Sequence, residues 1–375
     1  MPWTEVSIMQ TRAEFVALAQ QEGANVRALC RQFGISPPTA YKWLTRSAAG
    51  QPLSDRSRRP VRSPRQTAPS VATQVIALRQ QHPTWGGRKL RAALLAQGRD
   101  AVPSASTITT LLRRAGLLAP PQPRAGPAWQ RFVQPAPNVL WQLDFKGHHA
   151  LAQGRSHPLT ALDDHSRFNL VLAACADEQT ATVQAQLEAT FRRYGLPQAI
   201  LCDNGPPWGT AGAASPHSAL SVWLLRLGIA VWHGRPYHPQ TQGKDERFHR
   251  TFKADVLAGH LYADLAAAQR AYDRWRQVYN LERPHEALGL RPPASVYQPS
   301  PRPFPARLPP LDYPADMAVR KVQQDGTISF HHRRWLIGAA FAGLPVGLAP
   351  DGGADRYAVL CGAQRVHTLL LAQPP

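Results

Sequence analysis

Three proline-rich stretches decide the architecture before any element is assigned. Residues 51–70 are rich in Arg, Pro and Ser, and residues 120–137 and 299–314 are rich in Pro. The first cannot build a core, and in all three proline removes backbone donors and breaks helices and interior strands. A chain of 375 residues is also too long for one ordinary core. The sequence therefore folds as separate modules, and its residue pattern changes at each break.

The first module is basic and helical. Residues 1–129 hold 18 Lys and Arg against 5 Asp and Glu, out of a net charge of +19 for the chain. Such an excess on one third of a chain is the electrostatic footprint of a nucleic-acid binder. Residues 25–43 read as helix, tight turn, helix. Ala28, Leu29 and Phe33 supply an apolar face, Gly34 the turn, and Ile35 packs beneath it. Cys30 is small enough to let the helices approach, and Ser36 with Pro37 starts the second helix. Thr39, Tyr41, Lys42 and Arg46 are then placed to face a major groove. The linker over 51–70 adds Arg56, Arg58, Arg59, Arg62 and Arg65 as phosphate or minor-groove contacts. A second helical unit over 71–119 repeats the plan. One helix precedes His82-Pro83, the next begins near Trp85-Gly86-Gly87 with Arg88 and Lys89, and a third is capped by Ser104 or Ser106. That third helix turns Ile108, Leu111 and Leu112 inward and Arg113 and Arg114 outward.

From Asn138 the pattern becomes α/β and holds to residue 298. Strands are expected over Leu140 to Phe145, His157 to Leu162, Phe168 to Ala174, Ala199 to Cys202 and Ile229 to His233. Helices are expected over Thr180 to Tyr194, over Ser218 to Leu227, from Glu246 onward, and over Leu261 to Leu281. Past residue 314, over 315–375, short alternating stretches punctuated by Asp325-Gly326 and Asp351-Gly352-Gly353 fit a small all-β barrel. Cys30, Cys175, Cys202 and Cys361 are scattered without zinc or disulfide spacing, which fits a reducing cytoplasm. The first thirty residues lack a signal-peptide core, and the longest uncharged apolar stretch is too short and too broken for a membrane span.

The chemistry gathers on three acids. Asp144 sits in Trp141-Gln142-Leu143-Asp144-Phe145-Lys146, Asp203 ends the strand Leu201-Cys202, and Glu246 opens a helix after Gln242-Gly243-Lys244-Asp245. Phosphodiester cleavage or joining needs an activated attacking oxygen and a stabilised leaving oxygen, and two Mg²⁺ (or Mn²⁺) ions held by carboxylates supply both. Acids at the carboxyl ends of neighbouring strands and on a nearby helix converge on such a site. Arg250 and Lys253 lie four and seven residues after Glu246, on its face of the helix, where they can hold a DNA backbone. Asp245 is rotated about 100° from Glu246. Asp163-Asp164 between two strands reads first as turn chemistry, and His148-His149 as a surface pair.

These segments, together with His238-Pro239-Gln240-Thr241-Gln242-Gly243 leading into Glu246-Arg247-Phe248-His249-Arg250, closely resemble bacterial insertion-sequence transposases of the DDE, retroviral-integrase-like superfamily. Tyr279-Asn280-Leu281-Glu282-Arg283-Pro284-His285 and the segment Cys30 to Leu44 share the resemblance, which covers about residues 20 to 300. It implies an RNase H-like core over 138–298 with Asp144, Asp203 and Glu246 as the metal-binding triad. It further implies double-stranded DNA partners (the element's terminal inverted repeats and the target) and a homo-oligomer that pairs two ends, acting in the bacterial cytoplasm. The tail is similar in kind to the small SH3-like barrel that often ends such proteins. One departure is the 42 residues between Asp203 and Glu246, whose excess falls in the Gly/Ala/Pro-rich loop 206–216. Two other functions use the same residues: a structure-specific nuclease that never joins strands, and a DNA-binding regulator or decayed transposase without catalysis.

Overall fold

The computed structural model describes residues 7–56, 66–118, 133–210, 215–234, 243–353 and 355–372. The chain divides into two compact units, Met1–Gln66 and Thr67–Pro375.

The first unit is three helices, α1 (Ile8–Ala19), α2 (Val26–Gln32) and α3 (Pro37–Ala48). Asn25 caps α2 through the Ala28 amide, and Gly34 makes the turn with φ +61°. Phe15, Val16, Cys30, Ala40 and Trp43 form the core, with Leu29, Phe33 and Ile35 packed around it. Ala28, expected on the apolar face, is exposed. Ser36 precedes α3 as expected, but its hydroxyl bonds Thr39 Oγ1 at 2.9 Å and caps no amide.

The second unit begins with α4 (Pro69–Gln81), α5 (Gly87–Ala96) and α6 (Ala105–Arg114) around Val75, Trp85, Leu90, Ile108 and Leu112. Ser104, of the two candidates, caps α6. At Gly87 a Cβ would stand 2.6 Å from Thr109 Oγ1 and closer still to the Ala105 carbonyl, so α5 and α6 meet backbone to backbone. Gly87→Ala is therefore expected to cost about 2 kcal/mol by overpacking. Thermal unfolding of the variant against Gly86→Ala, where a Cβ meets nothing within 4 Å, checks this. These helices also touch later segments of the same unit: Thr84 Oγ1 lies 3.3 Å from Asp255 Oδ2, and Val278 packs on their core.

The centre is a mixed sheet. β1 (Leu140–Phe145), β3 (Arg155–Asp163) and β4 (Asn169–Cys175) are antiparallel, with β3 in the middle and the two-residue β2 (His149–Ala150) on its start. On its other side β1 pairs in parallel with β5 (Ala199–Cys202), which pairs in parallel with β6 (Ala230–His233). Side chains alternate across β1. Trp141 and Leu143 face α7 (Thr180–Tyr194) and α8 (Ala219–Arg226), where Val183, Leu187, Phe191, Leu220 and Trp223 bury them. Gln142 and Asp144 consequently point to the opposite face. Leu162 and Leu172, from β3 and β4, bury that face against Phe248 and Phe252 of α9 (Gly243–Phe252) and Tyr272 and Tyr279 of α10 (Leu265–Leu281). The helix expected to open at Glu246 thus starts three residues earlier, and α9 runs into a π-helical turn at Lys253–Leu257.

The C-terminal part packs on α8 through Val222 and Leu225. β7 (Ala318–Lys321), β10 (Pro345–Pro350), β11 (Arg356–Cys361) and β12 (Gln364–Leu370) pair in the order β12-β11-β10-β7, and β8 (Thr327–Phe330) pairs with β9 (Arg333–Leu336). No helix among the described residues is long and apolar enough to cross a membrane.

Candidate active site

Asp144 and Asp203 stand at the same level on neighbouring parallel strands. The last paired couple of β1 and β5 is Gln142 and Leu201, and each acid lies two residues beyond it, on the same side of the pleat. Asp203 is exposed, while the Asp144 side chain is 24% exposed. Burial, and after it the negative charge of Asp203, lifts the Asp144 carboxyl from the ordinary carboxylate range to about 7. A backbone amide at Phe145 and the charge of Lys146 oppose the rise. A carboxyl so placed is one that a cation would restore to its ionised form.

On its buried side Asp144 meets α9. Thr160, its cross-strand partner in β3, donates from Oγ1 to the Asp144 carbonyl at 3.0 Å and lies 2.8 Å from His249 Nε2. His249 Nδ1 is 3.8 Å from Asp144 Oδ2, and His249 Nε2 is 3.5 Å from Asp245 Oδ2. Asp245 is 1% exposed, and its carboxyl is pushed well above the ordinary range by burial first and the Asp144 charge second. Burial likewise pushes His249 down to about 3, with Lys146 adding to it, so the imidazole is neutral. Asp144, Asp245 and His249 each offer one donor atom within 4.8 Å of the others. Oxygen and imidazole donors in that compass suit a divalent cation. Glu246 is exposed on the same turn, as are Arg250 and Lys253. The structure thus brings Asp144 near Asp203 and brings Asp245 and His249 to Asp144, while Glu246 stands at the surface. Motif spacing points to Glu246 on this helix and to neither Asp245 nor His249.

The first turn of α9 is tied to the β3–β4 turn. Lys244 forms an ion pair with Asp164, whose side chain is fully buried, and donates to its carbonyl at 3.2 Å. Asp164 also accepts from Gln142 Nε2 and the Gln134 amide, both at 2.8 Å. Asp163 accepts from the Ser166 amide and hydroxyl and the Asn138 amide, the side-chain-to-backbone bonding expected of this turn. His149 Nε2 contacts the His260 carbonyl at 3.0 Å.

The cations expected on DNA are mixed in exposure. Tyr41, Lys42, Arg56, Arg88, Arg113 and Arg114 are exposed, whereas Thr39 and Arg46 are half-buried. Lys42 and Arg46 both lie over the Trp43 ring, at 4.6 and 4.8 Å. Arg58 and Arg59, with Arg62, Arg65 and residues 238–242, lie outside the described residues. Lys89 is half-buried, and burial, then the charges of Arg283 and Arg247, lower it to about 8. Nearby, His285 Nε2 accepts from the Arg283 guanidinium at 3.2 Å, and burial with Arg283, Lys89, Arg167 and Arg247 pushes it down to about 2. The unfolded chain binds a proton at this His below about pH 6.5 and the folded chain does not, so stability present above that pH is lost as pH falls. Between pH 7 and 5, His285→Gln is expected to lose about 2 kcal/mol less than the parent chain. Urea unfolding at the two pH values measures the difference.

Family models match the chain from its helical units to its C-terminal sheets. Residues 134–239 and 227–293 match models described as Integrase core domain. Residues 9–53 and 39–112 match Homeodomain-like domains, and residues 317–373 match the IS481 family transposase, C-terminal domain. The insertion element IS407 uncharacterized 31.7 kDa protein of Burkholderia multivorans is 28% identical over 229 residues, 60% of this chain and 79% of that protein. The insertion element IS476 uncharacterized 39.2 kDa protein of Xanthomonas euvesicatoria is 29% identical over 238 residues, 60% of this chain and 65% of that protein. Among solved structures, the simian T-cell lymphotropic virus intasome, in complex with PP2A regulatory subunit B56 gamma, aligns with 80% of this chain and 96% of its own at 15% identity and a TM-score of 0.36. With integrase-core and insertion-sequence transposase matches falling on the modules that carry Asp144, Asp203 and the C-terminal sheets, the similarities support a bacterial insertion-sequence transposase of the DDE, retroviral-integrase-like kind, an enzyme of the polynucleotidyl-transferase class.

Proposed function

We propose that this chain binds the terminal inverted repeats of its insertion sequence, frees the 3′ ends of the element and joins them to target DNA in the cytoplasm. The observation that carries the reading is the pairing of β1 with β5, which sets Asp144 and Asp203 side by side at parallel strand ends. Asp144 and Asp203 hold the divalent ions, two Mg²⁺ or Mn²⁺, and Glu246 reaches them from the exposed face of the first turn of α9. When bound, such ions activate the attacking oxygen and stabilise the leaving one.

In the first step water forms a bond to the phosphorus at the element end and the P–O3′ bond breaks, which leaves a 3′-OH. In the second that 3′-OH forms a bond to a target phosphorus and a target P–O3′ bond breaks, so one phosphodiester replaces another. Arg250 and Lys253, exposed beside Glu246, neutralise the phosphates flanking the reacting one. Thr39, Tyr41, Lys42 and Arg46, then Arg56, Arg58 and Arg59, and finally Arg88, Lys89, Arg113 and Arg114 hold the end DNA. A homo-oligomer of the chain pairs two ends, and the C-terminal sheets close into the small barrel that the alternating sequence pattern calls for. The modules have the boundaries read from the sequence.

A strand-transfer assay tests the reading. The chain is given a pre-cleaved duplex of the element's own end, a supercoiled target and Mg²⁺. Joined products support transposition, and cleavage of uncleaved ends without joining supports the nuclease instead.

A further inference from the structure

We infer that the buried side of Asp144 is a divalent-metal position in which His249 supplies a nitrogen ligand and Asp245 an oxygen, so that this position prefers Mn²⁺ to Mg²⁺. The inference rests on the reading of Asp144 as a metal-holding acid and adds to it the two α9 side chains beneath.

The hydrogen bonds fix where the lone pairs point. Thr160 has one hydroxyl proton and two acceptors in reach, the Asp144 carbonyl at 3.0 Å and Asp245 Oδ1 at 3.4 Å, of which the carbonyl is the nearer. With the proton on that carbonyl, the hydroxyl oxygen accepts from His249 Nε2, 2.8 Å away, which puts the imidazole proton on Nε2. Nδ1 is left as a lone pair, and it lies 3.8 Å from Asp144 Oδ2. A carboxyl oxygen and an imidazole lone pair thus face each other. Asp245 adds a third: it is 1% exposed, and its Oδ2 has no hydrogen-bond partner. Buried polar oxygens are seldom left without a partner. One cation bound among Asp144, Asp245 and His249 would satisfy all three at once, and their donor atoms already lie within 4.8 Å of one another.

The donor set also chooses the ion. Mg²⁺ favours oxygen ligands and gives up its water reluctantly, whereas Mn²⁺ accepts imidazole nitrogen alongside carboxylate. Helix spacing keeps the pair together, since Asp245 and His249 are four residues apart on one face of α9.

The test uses the untagged full-length chain, stripped with chelator and titrated with Mn²⁺. Electron spin-echo measurements on bound Mn²⁺ are expected to show ¹⁴N coupling of a directly ligated imidazole. His249→Ala is expected to lose that coupling and to bind Mn²⁺ about tenfold more weakly, with a smaller change for competing Mg²⁺. Asp144→Asn is expected to lose the site. Circular dichroism and thermal unfolding establish that each variant is folded, and His249→Asn, closer in shape, replaces the alanine variant if that one is not. Bound Mn²⁺ that Asp144→Asn abolishes but that shows no ¹⁴N coupling overturns the inference and leaves the functional reading standing. Mn²⁺ binding that survives Asp144→Asn unchanged overturns both.

Discussion

Asp144→Asn and Asp203→Asn are each expected to lower strand transfer by at least about a thousandfold, some 4 kcal/mol of barrier, with end binding nearly intact. Both substitutions keep size and hydrogen-bonding shape and remove only the charge that holds a cation. For Asp144 the fold itself tolerates the change. Its carboxyl is already raised to about 7 by burial and by Asp203, so a neutral side chain relieves repulsion. The variant should therefore unfold no earlier than the parent, and loss of transfer in a stable protein separates chemistry from folding. Gel-shift affinity for the terminal repeat and joining of a pre-cleaved end are the paired measurements. Near-parental joining with Mg²⁺ in either variant removes that acid from the site. The same pair of assays on Glu246→Gln and Asp245→Asn assigns the acid on α9. Glu246 is exposed, while Asp245 is buried with its carboxyl near His249 and Asp144. Glu246→Gln is expected to match the strand acids in its loss, and unchanged transfer in that variant moves the role to Asp245.

Much of this site is legible from residue order because its parts are local. The run Leu140 to Phe145 carries an acid next to its end, the run Ala199 to Cys202 is followed by one, and each is a strand over those same residues. Thr180 to Tyr194 is likewise a helix from its apolar spacing and its Gly195 stop. What stays hidden depends on contacts across the fold. Thr160, 85 positions before Asp245, becomes the partner of Asp144 only through the β1–β3 register. The sequence pattern points to Glu246 as the first residue of α9, whereas Gly243 and Lys244 are already helical. One further signal lies in plain view. Phe248, Phe252 and Val256 form the apolar stripe of α9, and three residues before Phe248 on that stripe stands Asp245, with His249 at i+4. An acid and a histidine at core positions of an amphipathic stripe indicate a buried polar network, which Glu246 and Arg250 on the outer face do not. In the tail, the strands Pro345–Pro350 and Gln364–Leu370 lack clean alternation, broken by Pro and Gly in one and by exposed edge residues in the other.

Lys244→Met is expected to destabilise the second unit by about 3 kcal/mol, the cost of leaving one partner of a buried ion pair behind. Asp164 is the partner left: its side chain is fully buried, and Lys244 is 16% exposed. Burial lowers Lys244 to about 8, so the pair is held against its own desolvation by the contact with Asp164 and would not survive as two separate charges. Asp164 retains the Gln142 amide and the Gln134 backbone amide as donors, which bounds the loss below that of an uncompensated carboxylate. Pairing Lys244→Met with Asp164→Asn should recover part of the stability, and urea unfolding of the four proteins in the cycle gives the coupling. The functional consequence is separate. Lys244 immediately precedes Asp245 and Glu246, and its ion pair fixes the rotation of the first turn of α9 against the β3–β4 turn. Freed of that tie, the turn can present either acid to Asp144. At a temperature where every variant is folded, strand transfer should fall about tenfold in Lys244→Met and stay low in the double variant even though its stability has recovered. If transfer instead recovers in step with stability, the pair acts on the fold alone and the orientation of α9 is set by Phe248 and Phe252.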